Sequence, residues 1–168
     1  MGNTKSVRVT FYVPIGFHEK ILNLTGEGTP YDNVADLFVS SLRWFVDGAM
    51  VEIACRYDPE QPHDTDLSFI FDNAVQASDV LSKYKKSSSR IQASVPEGLY
   101  NRAEFIHAFV EFCMEANKDN PAVNPEHLPP RTSLSNVFTI ALVSYVGHVE
   151  YSLYNSPLYA KWVKEGHL

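Results

Sequence analysis

Two stretches of this chain are similar enough to indicate an internal repeat. Residues 8–18 (RVTFYVPIGFH) align with residues 90–100 (RIQASVPEGLY) at an offset of 82, and Arg, Val, Pro and Gly are identical in the two. Residues 29–34 align with residues 132–137 at an offset of 103, and a long apolar-rich run follows each block. The repeat predicts that each copy is one structural unit, which cannot bury its apolar face alone.

The offset between the copies is 82 at the first aligned block and 103 at the second, so the second copy contains 21 extra residues between the blocks. We expect them in a longer helix through Lys118 and in a loop from Asp119 to Arg131. That loop contains four prolines, and so many in a short stretch argue against regular structure: Pro121, Pro125, Pro129 and Pro130.

Each copy begins with a predicted β-strand. Apolar and polar residues alternate along it, which is the period of a strand with one buried face. The apolar set is Val7, Val9, Phe11 and Val13 in the first copy and Ile91, Ala93 and Val95 in the second. The outward set is Arg8, Thr10 and Tyr12 in the first copy and Arg90, Gln92 and Ser94 in the second. Pro14 and Pro96 end the strands and open a helix.

Two amphipathic helices are predicted after each strand. In the first copy, Phe17, Ile21 and Leu24 recur at helical spacing. The second copy continues the corresponding face for longer, through Leu99, Ala103, Ile106, Val110 and Met114. We expect the third element to begin at an Asp32 or Ser135 cap and to end at Gly48 or Gly147.

This order of strand, helix and helix resembles the ribbon-helix-helix (MetJ/Arc/CopG-like) family of DNA-binding proteins. The resemblance covers residues 6–47 and 88–147. It implies an α+β, mainly α fold in which two fused units form an intramolecular two-stranded antiparallel ribbon packed on four helices. Most members are homodimers of a single unit, whereas this chain looks like a tandem fusion. The fused pair could also form a homodimer.

The family reads DNA bases with the outward side chains of its ribbon, which implies that role for six residues: Arg8, Thr10, Tyr12, Arg90, Gln92 and Ser94. Arg pairs with guanine, Gln with adenine, and Ser or Thr with either. The family also holds phosphates at the N-terminus of the second helix, which implies Ser133, Ser135 and Asn136 in the second copy. Asp32 would repel a phosphate, so the two half-sites need not be equivalent.

Basic charge is concentrated in two segments, although the net charge is -6. Residues 1–13 and 81–96 together carry +6 and no acid, and the rest of the chain carries -12. Four lysines in these segments are candidates for contacts to the DNA backbone: Lys5, Lys83, Lys85 and Lys86.

The expected organisation has four parts: residues 1–48 as the first unit, 49–86 as a connecting segment, 87–148 as the second unit with its 21-residue insertion, and 149–168 as a C-terminal tail. In the connecting segment, the alternation of Val51 to Tyr57 and of Leu67 to Phe71 predicts a hairpin, followed by a helix over 73–84. Alternatively, residues 50–55 extend the preceding helix. The aromatic tail is expected to pack on the core or to dock a partner.

We expect no enzymatic activity, metal or cofactor, because the sequence contains no catalytic triad, P-loop or metal-ligand spacing. The segment His63-Asp64-Thr65-Asp66 has no further ligand at metal spacing, and Cys55 and Cys113 are expected to be buried thiols in a reducing compartment. No stretch reaches the roughly 18 to 20 apolar residues of a membrane span, and the first residues lack the apolar core of a secretory signal. We therefore expect a cytoplasmic protein without a membrane partner.

Two functions fit this sequence. The first is sequence-specific binding of double-stranded DNA by a transcriptional repressor or an accessory factor of a mobile element. The second is a ribbon-helix-helix scaffold reused as an inhibitor or antitoxin-like module, whose acidic surface binds a basic protein.

Overall fold

A computed structural model describes residues 5–60, 67–119 and 133–167 of the chain. The protein is mainly helical and contains one two-stranded antiparallel sheet, which confirms the predicted α+β, mainly α class. Its elements are β1 (Ser6–Pro14), α1 (Ile15–Leu22), α2 (Val34–Arg56), α3 (Ser68–Ser82), β2 (Ser88–Pro96), α4 (Glu97–Asn117), α5 (Leu134–Val149), a π-helical turn (Glu150–Tyr154) and α6 (Pro157–Lys164).

The two strands pair with each other to form a ribbon, and one face of it is buried. On this face the strands contribute Val9, Phe11 and Val13 from β1 and Ile91, Ala93 and Val95 from β2. Two backbone hydrogen bonds of 2.9 Å extend the ladder, from Ile15 N–H to the Ser87 carbonyl and from Glu97 N–H to the Lys5 carbonyl. The two donors are 82 residues apart and so are the two acceptors, so a local two-fold axis relates the strands of the two copies.

Helices α2 and α5 form the central pair behind the ribbon. Each packs on the strand of the other copy, α2 on β2 and α5 on β1. Three phenylalanines meet where these elements join, with ring centroids 4.7 Å apart for Phe11 and Phe38, 5.9 Å for Phe11 and Phe138, and 5.6 Å for Phe38 and Phe138. The strands and the helix pair therefore share a single core.

The N-terminal caps of α2 and α5 are Asn33 and Ser133, so the expected caps at Asp32 and Ser135 are wrong. Each cap side chain accepts a hydrogen bond from the backbone N–H three residues on, that of Asp36 at 3.0 Å and that of Asn136 at 3.2 Å. These caps are 100 residues apart, so in the folded chain the second copy has 18 extra residues rather than 21.

The connecting segment forms no hairpin in its described part, since α2 continues to Arg56 and α3 already begins at Ser68. Of the two alternatives for residues 50–55, the helical one is therefore correct. Within α2, Ala49, Glu52 and Ile53 are buried, which is helical rather than alternating spacing. Residues 63–66 and 120–131, with the His-Asp motif and most of the Pro-rich loop, lie outside the described residues.

Glu52 fixes the junction between α2 and α3. Its buried carboxylate accepts hydrogen bonds from the backbone N–H groups of Phe69 at 2.7 Å and Ile70 at 3.1 Å. A carboxylate there satisfies two of the free N–H groups at the start of α3 and lies at the favourable end of the helix dipole. An acidic side chain of α2 thus caps the start of α3.

Neither Gly48 nor Gly147 ends its helix, contrary to expectation. Gly48 lies inside α2, so the expected domain boundary at residue 48 falls within a continuous helix. Gly147 lies inside α5, which leads into the π-helical turn. Gly48 serves packing instead: a β-carbon there would lie 2.4 Å from the Phe69 ring.

The C-terminal tail packs on the turn between α1 and α2. The hydroxyl groups of Tyr154 and Tyr159 donate hydrogen bonds to the carbonyls of Leu24 and Gly28, each at 3.0 Å. Burial raises the pKa of Tyr154 to about 12. The tail contains a short helix, α6, with no buried residue.

We expect Gly48→Ala to lower the free energy of unfolding by about 1–3 kcal/mol, because the added methyl group would displace the Phe69 ring. Gly147→Ala is the matched control, since the nearest atom to its added β-carbon is 3.9 Å away and alanine favours a helix by up to about 1 kcal/mol. Urea unfolding followed by circular dichroism measures both. Equal effects of the two substitutions would contradict the packing role of Gly48.

Candidate nucleic-acid interface

The outer face of the ribbon presents six polar side chains. Five of these residues are exposed, Arg8, Thr10, Tyr12, Arg90 and Ser94, and Gln92 is half-buried. Tyr12, the least expected of the set for reading DNA, is 61% exposed and does not belong to the core. The structure therefore brings all six residues together on one surface, with three of them on each strand.

Thr10 and Gln92 are both cross-strand partners and equivalent residues of the repeat, because they are 82 positions apart. The local two-fold axis consequently passes between them. Arg8 stands opposite Ser94, and Arg90 stands opposite Tyr12, so the two arginines occupy diagonal corners of the face. Four residues separate these corners along a strand, which is about 14 Å at roughly 3.4 Å per residue.

The centre of the face is held by the amide of Gln92. Its nitrogen donates a hydrogen bond to the Thr10 hydroxyl at 3.2 Å, and its oxygen accepts a long one from the Arg8 guanidinium at 3.3 Å. The amide has a second hydrogen and a second lone pair for an outside partner. Gln92 is therefore oriented across the ribbon and is still able to bind a base edge.

The lysines lie at the two ends of the ribbon. Lys5 precedes β1, and Lys83, Lys85 and Lys86 precede β2, all of them exposed. Lys83 pairs with Asp79 at 3.3 Å on the surface, so its charge is partly offset. The segment that carries the three lysines is anchored on α1.

The anchor of this segment is Tyr84. Its ring packs edge-on against Phe17, with centroids 5.8 Å apart. A β-carbon at Gly16 would lie 2.9 Å from the same ring, so the Tyr84 ring requires the glycine of the Pro-x-Gly motif in order to pack. The three lysines are thus held at the end of the ribbon where Pro14 pairs with Ser88.

Ser133, Ser135 and Asn136 occupy the N-terminal turn of α5, and all three are exposed. The Ser133 hydroxyl caps the helix by accepting from the Asn136 N–H, and α5 packs on β1. The corresponding turn of α2 borders a groove of about 670 Å³ beside the ribbon. This groove is lined by Arg8, Gln92 and Ser94 from the ribbon and by Asp32, Asn33 and Asp36 from the start of α2.

Asp36 was missed by the sequence reasoning, which considered only Asp32 at this end of α2. Its carboxylate accepts a hydrogen bond from the Asp32 N–H at 3.3 Å and lines the groove next to Arg8. The Asn-x-x-Asp spacing typical of a helix start would have identified it. The two ends of the candidate interface therefore differ in charge.

Other polar clusters offer less chemistry. Among residues 5–60, 67–119 and 133–167, no group of three His, Cys, Asp or Glu side chains is placed to hold a metal ion. Cys113 is buried as expected, and burial raises its pKa, whereas Cys55 is exposed, so the expectation that both thiols are buried is wrong for Cys55. Within the same described ranges, no helix has both the length and the apolar character to cross a membrane.

Comparison with known proteins gives no match: no family model, no curated protein and no solved structure is significantly similar to this chain.

We expect Arg8→Ala and Arg90→Ala each to change the free energy of unfolding by no more than about 0.5 kcal/mol, because both side chains point to solvent. Phe11→Ala, on the opposite face of the same strand, should cost about 3–5 kcal/mol because its ring is 1% exposed. Thermal and urea unfolding measure all three. A large loss in either arginine variant would show that these residues support the fold and are not available for a ligand.

Proposed function

We propose that this protein binds double-stranded DNA with the outer face of its ribbon lying in the major groove, as two ribbon-helix-helix units fused in one chain. The observation that carries the proposal is the single surface formed by six outward polar residues, with an arginine at each of two diagonal corners. A chain of this kind would act as a transcriptional repressor or as an accessory factor of a mobile element, in the cytoplasm.

The dimensions of the ribbon support this function. Two strands lie about 4.8 Å apart, and the major groove is about 12 Å wide, so a ribbon with its side chains fits within it. The chemistry also fits, because Arg8 and Arg90 can each donate two hydrogen bonds to a guanine and Gln92 can pair with an adenine. Thr10 and Ser94 can bind either purine or pyrimidine edges.

Contacts to the DNA backbone would come from the ends of the ribbon. Lys5, Lys83, Lys85 and Lys86 provide cations there, and the N-terminal turn of α5, with Ser135 and Asn136, provides the positive end of a helix dipole. The net charge of -6 adds a repulsion that salt screens. Affinity should therefore come from local contacts.

We expect purified protein to select a motif from random duplex DNA and to lose affinity as salt rises. Four lysine–phosphate contacts give a slope of about -3.6 in log affinity against log salt, which is about 100-fold between 50 and 200 mM. Arg8→Ala and Arg90→Ala should each lower the affinity for the selected duplex more than the affinity for a random one, since a guanine contact gives about 1–3 kcal/mol of discrimination. Fluorescence anisotropy measures these affinities.

The matched control for this experiment is Arg43→Ala, which removes an exposed arginine on α2 outside the proposed interface. It should leave both affinities unchanged. No binding to any duplex at 50 mM salt would contradict the proposed function.

A second candidate function is supported by an exposed aromatic row on α4. The rings of Phe105, Phe109 and Phe112 lie in sequence with centroids 6.0 and 6.4 Å apart, and Tyr57 packs on Phe109 at 4.9 Å. Phe105 is 49% exposed and Phe112 is 54% exposed. A contiguous exposed apolar surface of this kind is typical of an interaction site.

The charge around this aromatic row favours a basic partner. Glu104, Glu111 and Glu115 are exposed and follow the adjacent face of α4, while Asp58 and Glu60 are exposed just beyond Tyr57. This surface would fit the apolar face of a basic amphipathic helix, as expected if the fold serves as an inhibitor or antitoxin-like module.

We expect an amphipathic helical peptide with leucines on one face and lysines on the other to bind at least about tenfold more tightly than the same peptide with glutamates. Phe105→Ser combined with Phe112→Ser should weaken binding of the lysine peptide without unfolding the protein, because both rings are exposed. Calorimetric titration measures the affinities. Equal binding of both peptides would contradict a basic partner, and self-association abolished by the serines would assign the row to a homodimer.

A further inference from the structure

The two ends of the ribbon meet helix N-termini of different charge. Because α2 and α5 begin 100 residues apart at equivalent caps, Asp36 of the first copy corresponds to Asn136 of the second. Asp36 and Asp32 line the groove beside Arg8, whereas Asn136 is neutral. A phosphate near Arg8 would therefore approach two carboxylates, and its equivalent at the other end would meet an uncharged amide.

At the end of the ribbon near Arg90, the neighbouring side chains are positively charged. Arg90 stands opposite Tyr12, next to the end where the exposed Lys85 and Lys86 lead into β2. By the local two-fold axis, the N-terminus of α5 lies beside this end, as that of α2 lies beside Arg8. Positive charge and a neutral helix start thus coincide at one end only.

The local two-fold axis also constrains the bases that the arginines can reach. Residues related by a two-fold axis that coincides with one of the DNA contact opposite strands of the duplex. The two corners are about 14 Å apart, and B-DNA rises about 3.4 Å per base pair, so the two guanines should be about four steps apart. At the centre, Thr10 and Gln92 are unlike, so the central base pair is read without symmetry.

We propose that the protein binds an imperfect palindrome in one orientation, with guanines on opposite strands about four steps apart and most of the affinity at the half under Arg90. This proposal rests on the DNA-binding function proposed above. The carboxylates of Asp32 and Asp36 weaken the half under Arg8. The bound complex consequently has a polarity that a symmetric homodimer could not have.

The test uses the duplex selected from random DNA and four variants of the full chain. Arg90→Ala should lower affinity at least about 30-fold, and Arg8→Ala only about fivefold, the lower limit for a guanine contact. Asp36→Asn should raise affinity about threefold at 50 mM salt, as expected for removing a unit charge about 6 Å from a phosphate in water, and less at 200 mM. Asn136→Asp makes the reverse change at the equivalent position and should lower affinity about threefold.

Both charge variants keep a side-chain oxygen, so the hydrogen bond that Asp36 accepts from the Asp32 N–H at 3.3 Å can persist, and circular dichroism checks their folding. Replacing the selected guanine under Arg90 should likewise lower affinity more than replacing the guanine under Arg8. If the two arginine variants lose affinity equally and neither charge variant has an effect, the polarity is wrong while DNA binding stands. If no duplex binds at 50 mM salt, the proposed function fails and the polarity fails with it.

Discussion

The pairing of β1 with β2 is the interaction on which the rest of the structure depends. Each strand offers one apolar face to the core, and within the described part of the chain it pairs only with the strand of the other copy. A slip of β1 by one residue would turn Phe11 outward and bring Thr10 into the core. The register that buries the apolar set therefore also sets the outer face.

Much of the ribbon could be predicted from the sequence, because its information is local. Alternation with a period of two identifies the outward residues, and Pro14 and Pro96 mark where each strand gives way to a helix. The offset of 82 between the copies limits the register without deciding it, since symmetric pairing of two equivalent strands must place some residue opposite its own equivalent. Thr10 and Gln92 are that pair.

The connecting segment could not be predicted in the same way, because its structure depends on contacts distant in sequence. Glu52 is a polar position of an alternating stretch and would be exposed in a strand, yet it is buried because it caps a helix that begins 16 residues later. Gly48 is typical of a helix end, yet it lies inside α2, where the Phe69 ring occupies the position that a β-carbon would take. The offset of 103 between the second pair of aligned blocks was also wrong. It aligned the Asn-Val pair at residues 33–34 with the one at 136–137, whereas the helix cap at Asn33 corresponds to the cap at Ser133.

Two similar segments in one chain can form a surface that two copies of one segment in a homodimer could not. In a homodimer, any substitution enters both halves of the binding face, so a change that suits one half-site is imposed on the other. Here the positions diverge separately: Thr10 differs from Gln92, Tyr12 differs from its equivalent Ser94, and Asp36 differs from Asn136. The buried faces remain apolar in both copies because both must fill one core, although Phe11 corresponds to Ala93, while the exposed positions are free of that constraint. A symmetric scaffold can in this way carry an asymmetric surface without any cost to the packing that holds it together.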